Sequence, residues 1–434
     1  MTCRGYALAM TCMIRIISKI FISVVSILLL AGCCNCVNTV TVTNPTDVDR
    51  LPELVELNLQ EIGFSEDVSF VVKDLTGEEI PYQITTDGTV LFLVEGLNAG
   101  ESAEFTFKKG TPAVAQTLSC GREYSDKHGV PQDVAWENDK VGFRLYSHET
   151  SPIAAGYDLF AKRGTTLPVL EGFYAKNLDN TPAWDKYYEL LESEGKAAAL
   201  KFKRDSLSFH IDRGYGLDCY QVGPTLGAGV ASLINIDDTM LYQSGYESFE
   251  IIENGPLRFR TKFTFAPRAI GKDSCVVETR IVTLDAGSQL NHTTVHYKLV
   301  ALDANGAEVS SDLPSCEILT GIVLREKGGE NFQTENYISY ASPTQVLVDE
   351  WVEMRNGDEN GTLYVGHVFP TKVRTSIRES HVVAVSEYDS EAGFEYYWGF
   401  GWDRAGIQSH EQWNEYLEAY AQMVRNPLTI TTNN

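Results

Sequence analysis

The chain has 434 residues and a formal net charge of −24, and 43% of its residues are hydrophobic. So acidic a protein disfavours nucleic acid and anionic lipid faces as partners, because both repel negative charge. A single hydrophobic core rarely grows beyond about 250–300 residues, so two domains are the default expectation.

The N-terminus has the features of a lipoprotein export signal. Basic residues precede an apolar run over residues 20–31, which is shorter than the ~20 residues that span a bilayer. The run ends in LAGC, which resembles the bacterial lipobox, so residues 1–32 are predicted to be a signal peptide and Cys33 the lipidated first residue. The expected location is the bacterial cell envelope, in the periplasm or at the outer-membrane surface, with the lipid anchor as the contact to the membrane.

An anchor and tether over residues 33–47 precede a region of short strands over 48–110. Asp87 and Gly88 lie between two apolar runs, which is a strong hairpin signal. Short strands at this spacing predict a small sandwich of immunoglobulin type.

Residues 118–430 contain many further alternating segments and no βαβ pattern, so a parallel sheet is not expected. The region is predicted to be a large antiparallel β-sandwich, supersandwich-like, and the chain as a whole all-β. Two helices break the pattern. One covers 184–202 with an interruption at Gly195. The other begins at a Ser409 cap, and its apolar residues fall on one face of the helix.

The segment 209–229 concentrates side chains that can transfer protons, bind carboxylates or donate hydrogen bonds: His210, Asp212, Arg213, Tyr215, Asp218 and Tyr220. Alternation over 207–212 predicts a strand that would place His210 and Asp212 on one face, where a carboxylate can orient an imidazole base. The alternative is an ordinary turn at Gly214 and Gly216 with solvated polar residues.

Other candidates lie outside this segment. His367 ends a strand and is a candidate base. Trp398, Trp402 and Arg404 could hold a sugar ring and its carboxylate, or could be core aromatics of an edge strand. Trp136 lies among polar residues that could line the same cleft.

A histidine pair gives a weaker signal. His292 and His296 share a strand face but lie ~13 Å apart, too far for one zinc ion. Each could face a site, or belong to the core or surface.

The motifs AWENDKVGFRLY (135–146), YDLFAKR (157–163), GLDCYQVGPTLGAG (216–229) and the closing WNEYLEAY helix resemble the domain of unknown function 4861 family of Bacteroidota. The resemblance covers residues 120–428 and leaves the N-terminal sandwich outside. It implies an exported protein of a polysaccharide-utilisation system that acts on uronic-acid glycans such as ulvan or pectin. It further implies loss of water from a terminal uronate to give a 4,5-unsaturated sugar.

That dehydration needs a base for the C5 proton, an acid for the 4-hydroxyl and a cation for the carboxylate. The sequence offers His210 or His367 as base, Tyr215 or Tyr220 as acid, and Arg213 or Arg404 as cation, with an oligosaccharide as the substrate. No residue pattern selects a cofactor, although a divalent metal is compatible with the chemistry. The alternatives are a non-catalytic glycan-binding lipoprotein and a glycoside hydrolase that uses a carboxylate pair such as Asp212 and Asp218.

Overall fold

A computed structural model describes residues 38–65, 67–113, 120–124, 133–163, 169–170, 181–235, 237–271, 274–302, 308–325, 328–349 and 353–433. Cys33, the predicted lipidation site, lies outside these ranges. The first twelve strands in chain order are β1 Asn38–Thr43, β2 Glu53–Asn58, β3 Phe70–Lys73, β4 Glu79–Ile80, β5 Tyr82–Ile84, β6 Thr89–Val94, β7 Ser102–Lys109, β8 Cys120–Tyr124, β9 Asp133–Glu137, β10 Gly142–Leu145, β11 Asp158–Lys162 and β12 Gly216–Asp218.

Helices α1 Thr181–Ser193 and α2 Lys196–Leu207 lie between β11 and β12. The remaining strands are β13 Ala231–Ile234, β14 Met240–Leu241, β15 Ser248–Asn254, β16 Arg258–Thr264, β17 Arg268–Ala269, β18 Ser274–Asp285, β19 Leu290–Leu302, β20 Glu308–Asp312, β21 Cys316–Val323, β22 Glu330–Gln333, β23 Tyr337–Asp349, β24 Glu353–Val368, β25 Arg374–Arg378, β26 His381–Tyr388, β27 Phe394–Trp402 and, after helix α3 His410–Arg425, β28 Thr429–Asn433. The predicted all-β class with a C-terminal helix is confirmed.

The larger core lies between a ten-stranded sheet and two five-stranded sheets that pack on it. The main path of the large sheet is β15-β16-β18-β19-β27-β24-β23-β22, and the smaller sheets are β12-β11-β10-β9-β8 and β14-β13-β21-β26-β25. Alternation along the strands supplies this core: Phe143 and Leu145 of β10 are buried in it, while Arg144 between them lies on the opposite face. The sheet β12-β11-β10-β9-β8 is therefore apolar on its inner face and carries charged residues on its outer face.

Helix α3 covers the outer face of the ten-stranded sheet. Ser409 caps it by accepting a hydrogen bond from the Gln412 backbone N–H at 3.1 Å, as its sequence predicts. Trp413 and Leu417 of the helix pack against β24, where a Cβ on Gly366 would lie only 2.6 Å from Leu417 Cδ1. Glycine at this position therefore lets the helix lie directly on the strand.

Helices α1 and α2 confirm the interrupted helix expected over 184–202. Gly195, with a φ of 90°, lies between them as the N-cap of α2. A positive φ of this kind is readily adopted by glycine, so Gly195 lets the chain leave one helix and begin the next.

The smaller sandwich consists of the sheets β28-β1-β7-β3-β4 and β2-β6-β5 around a separate core that includes Val40, Phe70, Phe92 and Phe107. Strand β1 pairs with β7 on one side and with the C-terminal strand β28 on the other. Residues 38–43 and 429–433 thus add to the 48–110 region, and both ends of the described chain lie in one sheet.

Specific polar contacts join the small sandwich to the ten-stranded sheet. Gln83 Oε1 accepts hydrogen bonds from the backbone N–H groups of Leu257 at 3.0 Å and Arg258 at 2.8 Å. Arg50 donates to the backbone carbonyl of Asn426 at 2.6 Å, just after α3. These contacts fix the small sandwich against both the large sheet and the C-terminal helix.

Two further observations concern the described residues. Cys219, Cys275 and Cys316 are free thiols. None of the helices in the described ranges is long and apolar enough to cross a membrane.

Candidate active site

A group of charged side chains lies on the outer face of the sheet β12-β11-β10-β9-β8. Arg144 on β10 is directly opposite Asp158 on β11, and Asp218 on β12 is opposite Phe160, two residues further along β11. Side chains two residues apart on a strand share a face, so this register brings Arg144, Asp158 and Asp218 together. With Tyr146 and His210 they form the group that we call the carboxylate cluster.

Arg144 is the centre of the carboxylate cluster. Its Nη2 lies 2.6 Å from Asp158 Oδ2 and 3.3 Å from Asp218 Oδ2. The Tyr146 hydroxyl donates to the same Asp158 oxygen at 2.7 Å, and the Arg144 guanidinium lies 4.5 Å from the centre of the Tyr146 ring. One cation is thus shared by two carboxyl groups.

His210 reaches the carboxylate cluster from a turn. Its Nδ1 lies 2.8 Å from the backbone carbonyl oxygen of Asp218 and 3.9 Å from Asp218 Oδ1. A carbonyl oxygen only accepts, so Nδ1 carries the hydrogen of this bond and a neutral ring has its lone pair on Nε2. The ring is partly open to solvent, with 20% of the side chain exposed. This tautomer is the one in which Nε2 can take a proton from a bound molecule.

The pKa of Asp218 is raised to about 6, chiefly by burial and next by the nearby charge of Asp158, against the opposing effects of His210 and Arg144. Burial also raises the pKa of Tyr146 well above its ordinary value. Asp218 is therefore a carboxyl group that is protonated in a substantial fraction of molecules near pH 6. Such a group can donate a proton under conditions where an ordinary aspartate cannot.

The turn that carries His210 corrects the strand expected over 207–212. Helix α2 ends at Leu207, and the following residues form turns closed by side chains. Ser208 Oγ accepts from the His210 N–H at 3.1 Å, and Asp212 Oδ1 accepts from the Gly214 N–H at 2.8 Å. Local side-chain hydrogen bonds of this kind compete with strand pairing, and here they outweigh the alternation.

Two arginines lie close to the Trp402 ring, and one of them contacts the turn that carries His210. Arg163 Nε is 2.5 Å from Asp212 Oδ2, and its guanidinium lies 5.5 Å from the centre of the Trp402 ring. Arg404 lies 5.9 Å from the same ring. The predicted residues Trp402 and Arg404 are therefore connected, through Arg163, to the turn that carries His210.

Arg213 and Tyr215, two predicted site residues of this turn, form hydrogen bonds with residues outside the carboxylate cluster. Arg213 Nη2 donates to the backbone carbonyl of Arg204 at 2.9 Å, while its buried Nε has no hydrogen-bond partner among the described atoms. Tyr215 is half-buried, and its backbone carbonyl accepts from the Arg163 N–H at 3.1 Å. Arg213 thus retains a donor that could serve an anionic group.

Tyr220 lies next to a cation, as a catalytic tyrosine would require. The Arg325 guanidinium is 4.8 Å from the centre of its ring. Burial nevertheless raises the pKa of Tyr220 to about 12, because the loss of hydration outweighs the attraction of Arg325. A hydroxyl of this kind stays protonated near neutral pH, so Tyr220 is not suited to act as the base.

Three predicted residues lie in the core. Trp136 and Trp398 are fully buried, and Trp398 stacks on Tyr157 with ring centres 3.8 Å apart. His367 is fully buried with Nε2 2.8 Å from the Ala228 carbonyl oxygen and Nδ1 3.3 Å from Thr320 Oγ1, and burial lowers its pKa to about 4. These side chains pack between the sheets and present no open face to a ligand in this structure.

Trp402 also has little open surface. It is 1% exposed, and its Nε1 donates to the Asn360 carbonyl at 2.8 Å. Its ring supports Arg163 and Arg404 rather than a sugar in this arrangement. The alternative interpretation as core aromatics is therefore correct for the side chains, but β27 is a central strand, paired with β19 and β24, and not an edge strand.

The sequence-based reasoning missed Arg144, Tyr146 and Asp158. A signal for them existed, since Arg144 and Tyr146 alternate with Phe143 and Leu145, and Asp158 lies within the YDLFAKR motif. A small cavity of about 30 Å³, enough for a water molecule, adjoins them and is lined by Arg144, Asp158, Asp218 and Glu137 together with apolar residues.

Comparison with known proteins identifies the family. The model of the family described as "Domain of unknown function (DUF4861)" matches residues 42–430. The chain belongs to this family. The DUF4861 match begins in β1, so the small sandwich is part of it, which corrects the expectation that the family region is limited to 120–428.

Individual proteins show more distant similarity. The "Uncharacterized protein P7" of Formosa agariphila is 23% identical over 432 residues, which cover 90% of this chain and 92% of that protein. Two solved structures from Enterococcus faecalis each align with 92% of this chain at 9% identity: an alpha-mannosidase with a TM-score of 0.38 and a protein in glycosyl hydrolase family 38 with a TM-score of 0.37. The chain spans 46% and 47% of these two structures, respectively, or about half of their length.

Proposed function

We propose that this protein is an exported lipoprotein that acts on oligosaccharides containing uronic acid and removes water from a terminal uronate by β-elimination. The observation that carries the proposal is the carboxylate cluster, in which His210 lies beside a carboxyl group whose pKa is raised to about 6. A base and an acid at one partly open position are what this elimination needs.

In the proposed reaction His210 Nε2 takes the C5 proton, which the uronate carboxyl group makes acidic. The electron pair of the C5–H bond forms the C4=C5 double bond as the C4–O bond breaks. The protonated form of Asp218 gives its proton to the leaving 4-hydroxyl, which departs as water. The products are one unsaturated oligosaccharide and one water molecule, with the proton from C5 on His210.

The negative charge of the substrate carboxylate requires a local cation, because the protein as a whole has a net charge of −24. Arg213 has a buried Nε without a hydrogen-bond partner among the described residues, so it could donate to that group. Arg404, beside the Trp402 ring, offers a second cation, and its hydrogen bond among the described contacts is to the backbone carbonyl of Glu359. We assign them to substrate binding.

The reaction is tested with the protein and oligosaccharides that end in glucuronate or galacturonate. We expect absorbance near ~232 nm to rise, as for the enol-ether carboxylate formed by proton abstraction next to the carboxyl group, and mass spectrometry to show loss of one water without chain cleavage. His210→Ala should lower the rate by about 10²–10⁴-fold, whereas His148→Ala, at an exposed histidine, should not. Cleavage of the chain with a rise in absorbance would indicate a lyase, and no change on any uronate would indicate a binding protein; either result would contradict the proposal.

A glycoside hydrolase is the second candidate, and the Asp158–Asp218 pair favours it. Both carboxyl groups contact Arg144 Nη2, and Asp158 accepts hydrogen bonds from Arg144 and Tyr146, as a carboxylate does. Most glycoside hydrolases use two carboxyl groups, one protonated that acts as the acid and one ionised that acts as the base or nucleophile. This pair replaces Asp212 and Asp218, since Asp212 bonds Arg163 instead. New reducing ends without absorbance near ~232 nm would identify this activity.

Attachment to the cell envelope through Cys33 is also a proposal, supported by the LAGC sequence. Cells given a labelled fatty acid should incorporate the label into the wild-type protein and not into the Cys33→Ser variant. Cys36→Ser is the matched control and should be labelled like the wild type. Equal labelling of Cys33→Ser would exclude this anchor.

A further inference from the structure

A cavity of about 510 Å³ lies where the small sandwich, the ten-stranded sheet and helix α3 meet. Its walls come from residues 52–56, from the outer faces of β16, β18, β19 and β27, and from Tyr420 and Met423 of the helix. Ligand sites commonly have volumes of about 300–1,000 Å³ and occur where domains meet. We call it the junction cavity.

The charges around the junction cavity balance one another. Arg258 Nε lies 2.7 Å from Asp285 Oδ1, and its Nη2 lies 2.7 Å from Glu56 Oε1. Arg260, two residues along the same strand face, supplies the second positive charge that offsets these two carboxylates. The third lining carboxylate, Glu53, is paired with Arg50, whose Nε lies 2.5 Å from Glu53 Oε1. A ligand with a net charge would therefore gain little electrostatic binding energy in this cavity. A neutral ligand with many hydroxyl groups would find both hydrogen-bond donors and acceptors there.

The remaining polar groups are placed to bind hydroxyls. The buried Nε of Arg260 has no hydrogen-bond partner among the described atoms. His292 Nε2 lies 2.9 Å from Glu395 Oε1, and its ring stacks on Tyr397 with centres 4.8 Å apart. His292 is thus held in place against an aromatic ring, and Arg260 keeps a donor that burial makes costly to leave unpaired.

Aromatic and apolar surface completes the junction cavity. The rings of Tyr397 and Tyr420 are 5.4 Å apart, and Leu54 and Leu290 also line the space. Ring faces beside hydrogen-bonding groups suit a sugar, whose C–H faces are apolar and whose edges carry hydroxyls. We propose that the junction cavity binds a neutral saccharide unit, at a site separate from the carboxylate cluster and independent of the reaction proposed for it.

The test is calorimetric titration of the full chain with xylotetraose, mannotetraose and galactotetraose, and with tetragalacturonate as the charged counterpart. We expect at least one neutral tetrasaccharide to bind, and more tightly than tetragalacturonate. Arg260→Met should weaken that binding by about 2–10-fold, the value of one hydrogen bond to a buried group. Lys262→Met removes the same charge from the same face of β16 outside the cavity and should bind like the wild type.

Tyr397→Leu provides a second variant, which removes the aromatic ring that the proposal places against the sugar. It should also weaken binding of the neutral tetrasaccharide, and circular dichroism should show that both variants fold. The proposal is overturned if no neutral tetrasaccharide binds, if tetragalacturonate binds more tightly, or if Arg260→Met and Tyr397→Leu both bind like Lys262→Met.

Discussion

At the scale of single residues, the sandwich core holds an ion pair as well as apolar side chains. Arg280 and Glu278 are 0% and 1% exposed in their side chains, and Arg280 Nε donates to the Glu278 carboxylate. The guanidinium also lies 4.1 Å from the centre of the Phe265 ring. Removing one partner of such a pair leaves an uncompensated charge in the core, which is costly.

We therefore expect Glu278→Gln to lower the free energy of unfolding in urea by about 3–5 kcal/mol. Replacing both residues with methionine should restore much of the loss, because no charge then remains buried. The control is Glu250→Gln at an exposed position of β15, which should change the stability by less than about 0.5 kcal/mol. A loss in Glu278→Gln no greater than that of the control would show that Arg280 is stabilised by its other neighbours.

Only part of the candidate site could be predicted from the sequence. His210 and Asp218 were predicted because they are close in sequence, and they are close in space. Arg144 and Asp158 meet them only through the register of β10, β11 and β12, which is a tertiary property. Trp398 and Trp402 lie on one strand face in the core, and the sequence left open whether they bind a sugar or pack against another sheet.

At the scale of elements, the C-terminal helix was the most predictable part of the chain. Its cap and apolar stripe are local patterns, and both appear in the structure. The prediction of a strand over 207–212 was wrong. Ser208 and Asp212 form hydrogen bonds with nearby backbone groups, and the alternation of apolar and polar residues carries no information about those bonds.

The contact between α3 and β24 leads to a prediction for Gly366. An added Cβ would lie 2.6 Å from Leu417 Cδ1 and 2.7 Å from Trp413 Nε1, so the helix would have to move outward. We expect Gly366→Ala to reduce stability by about 1–3 kcal/mol and to speed proteolytic cleavage within the helix. At Gly110 the nearest atom, Val71 Cγ1, is 3.4 Å away, so Gly110→Ala should have a smaller effect. Equal effects at the two positions would contradict close packing at Gly366.

At the scale of the whole molecule, the small sandwich depends on both ends of the described chain. Strand β28 pairs with β1 over five residue pairs, from Thr43–Thr429 to Thr39–Asn433. Without β28, strand β1 would become an exposed edge with unpaired backbone groups.

A chain that ends at Leu428 should therefore exchange the β1 backbone amides that pair with β28 faster in hydrogen–deuterium exchange. The sandwich core that includes Val40 and Val42 should also be destabilised. Thr431→Ala changes an exposed side chain and keeps the backbone pairing, so its exchange should match the wild type. Unchanged protection of β1 in the shortened chain would show that β28 adds nothing to the sheet.

The measurement that tests the central claim most directly is the pH dependence of uronate dehydration. Asp218 must be protonated to donate to the leaving hydroxyl, and its pKa is raised to about 6. Deprotonation as pH rises should therefore remove activity, with the alkaline limb of the rate profile centred near pH 6. In Asp218→Asn the rate should fall by about 10²-fold or more and lose this limb. A wild-type rate that stays constant from pH 5 to 8, or an Asp218→Asn variant with the wild-type rate and profile, would contradict the assignment of Asp218 as the acid.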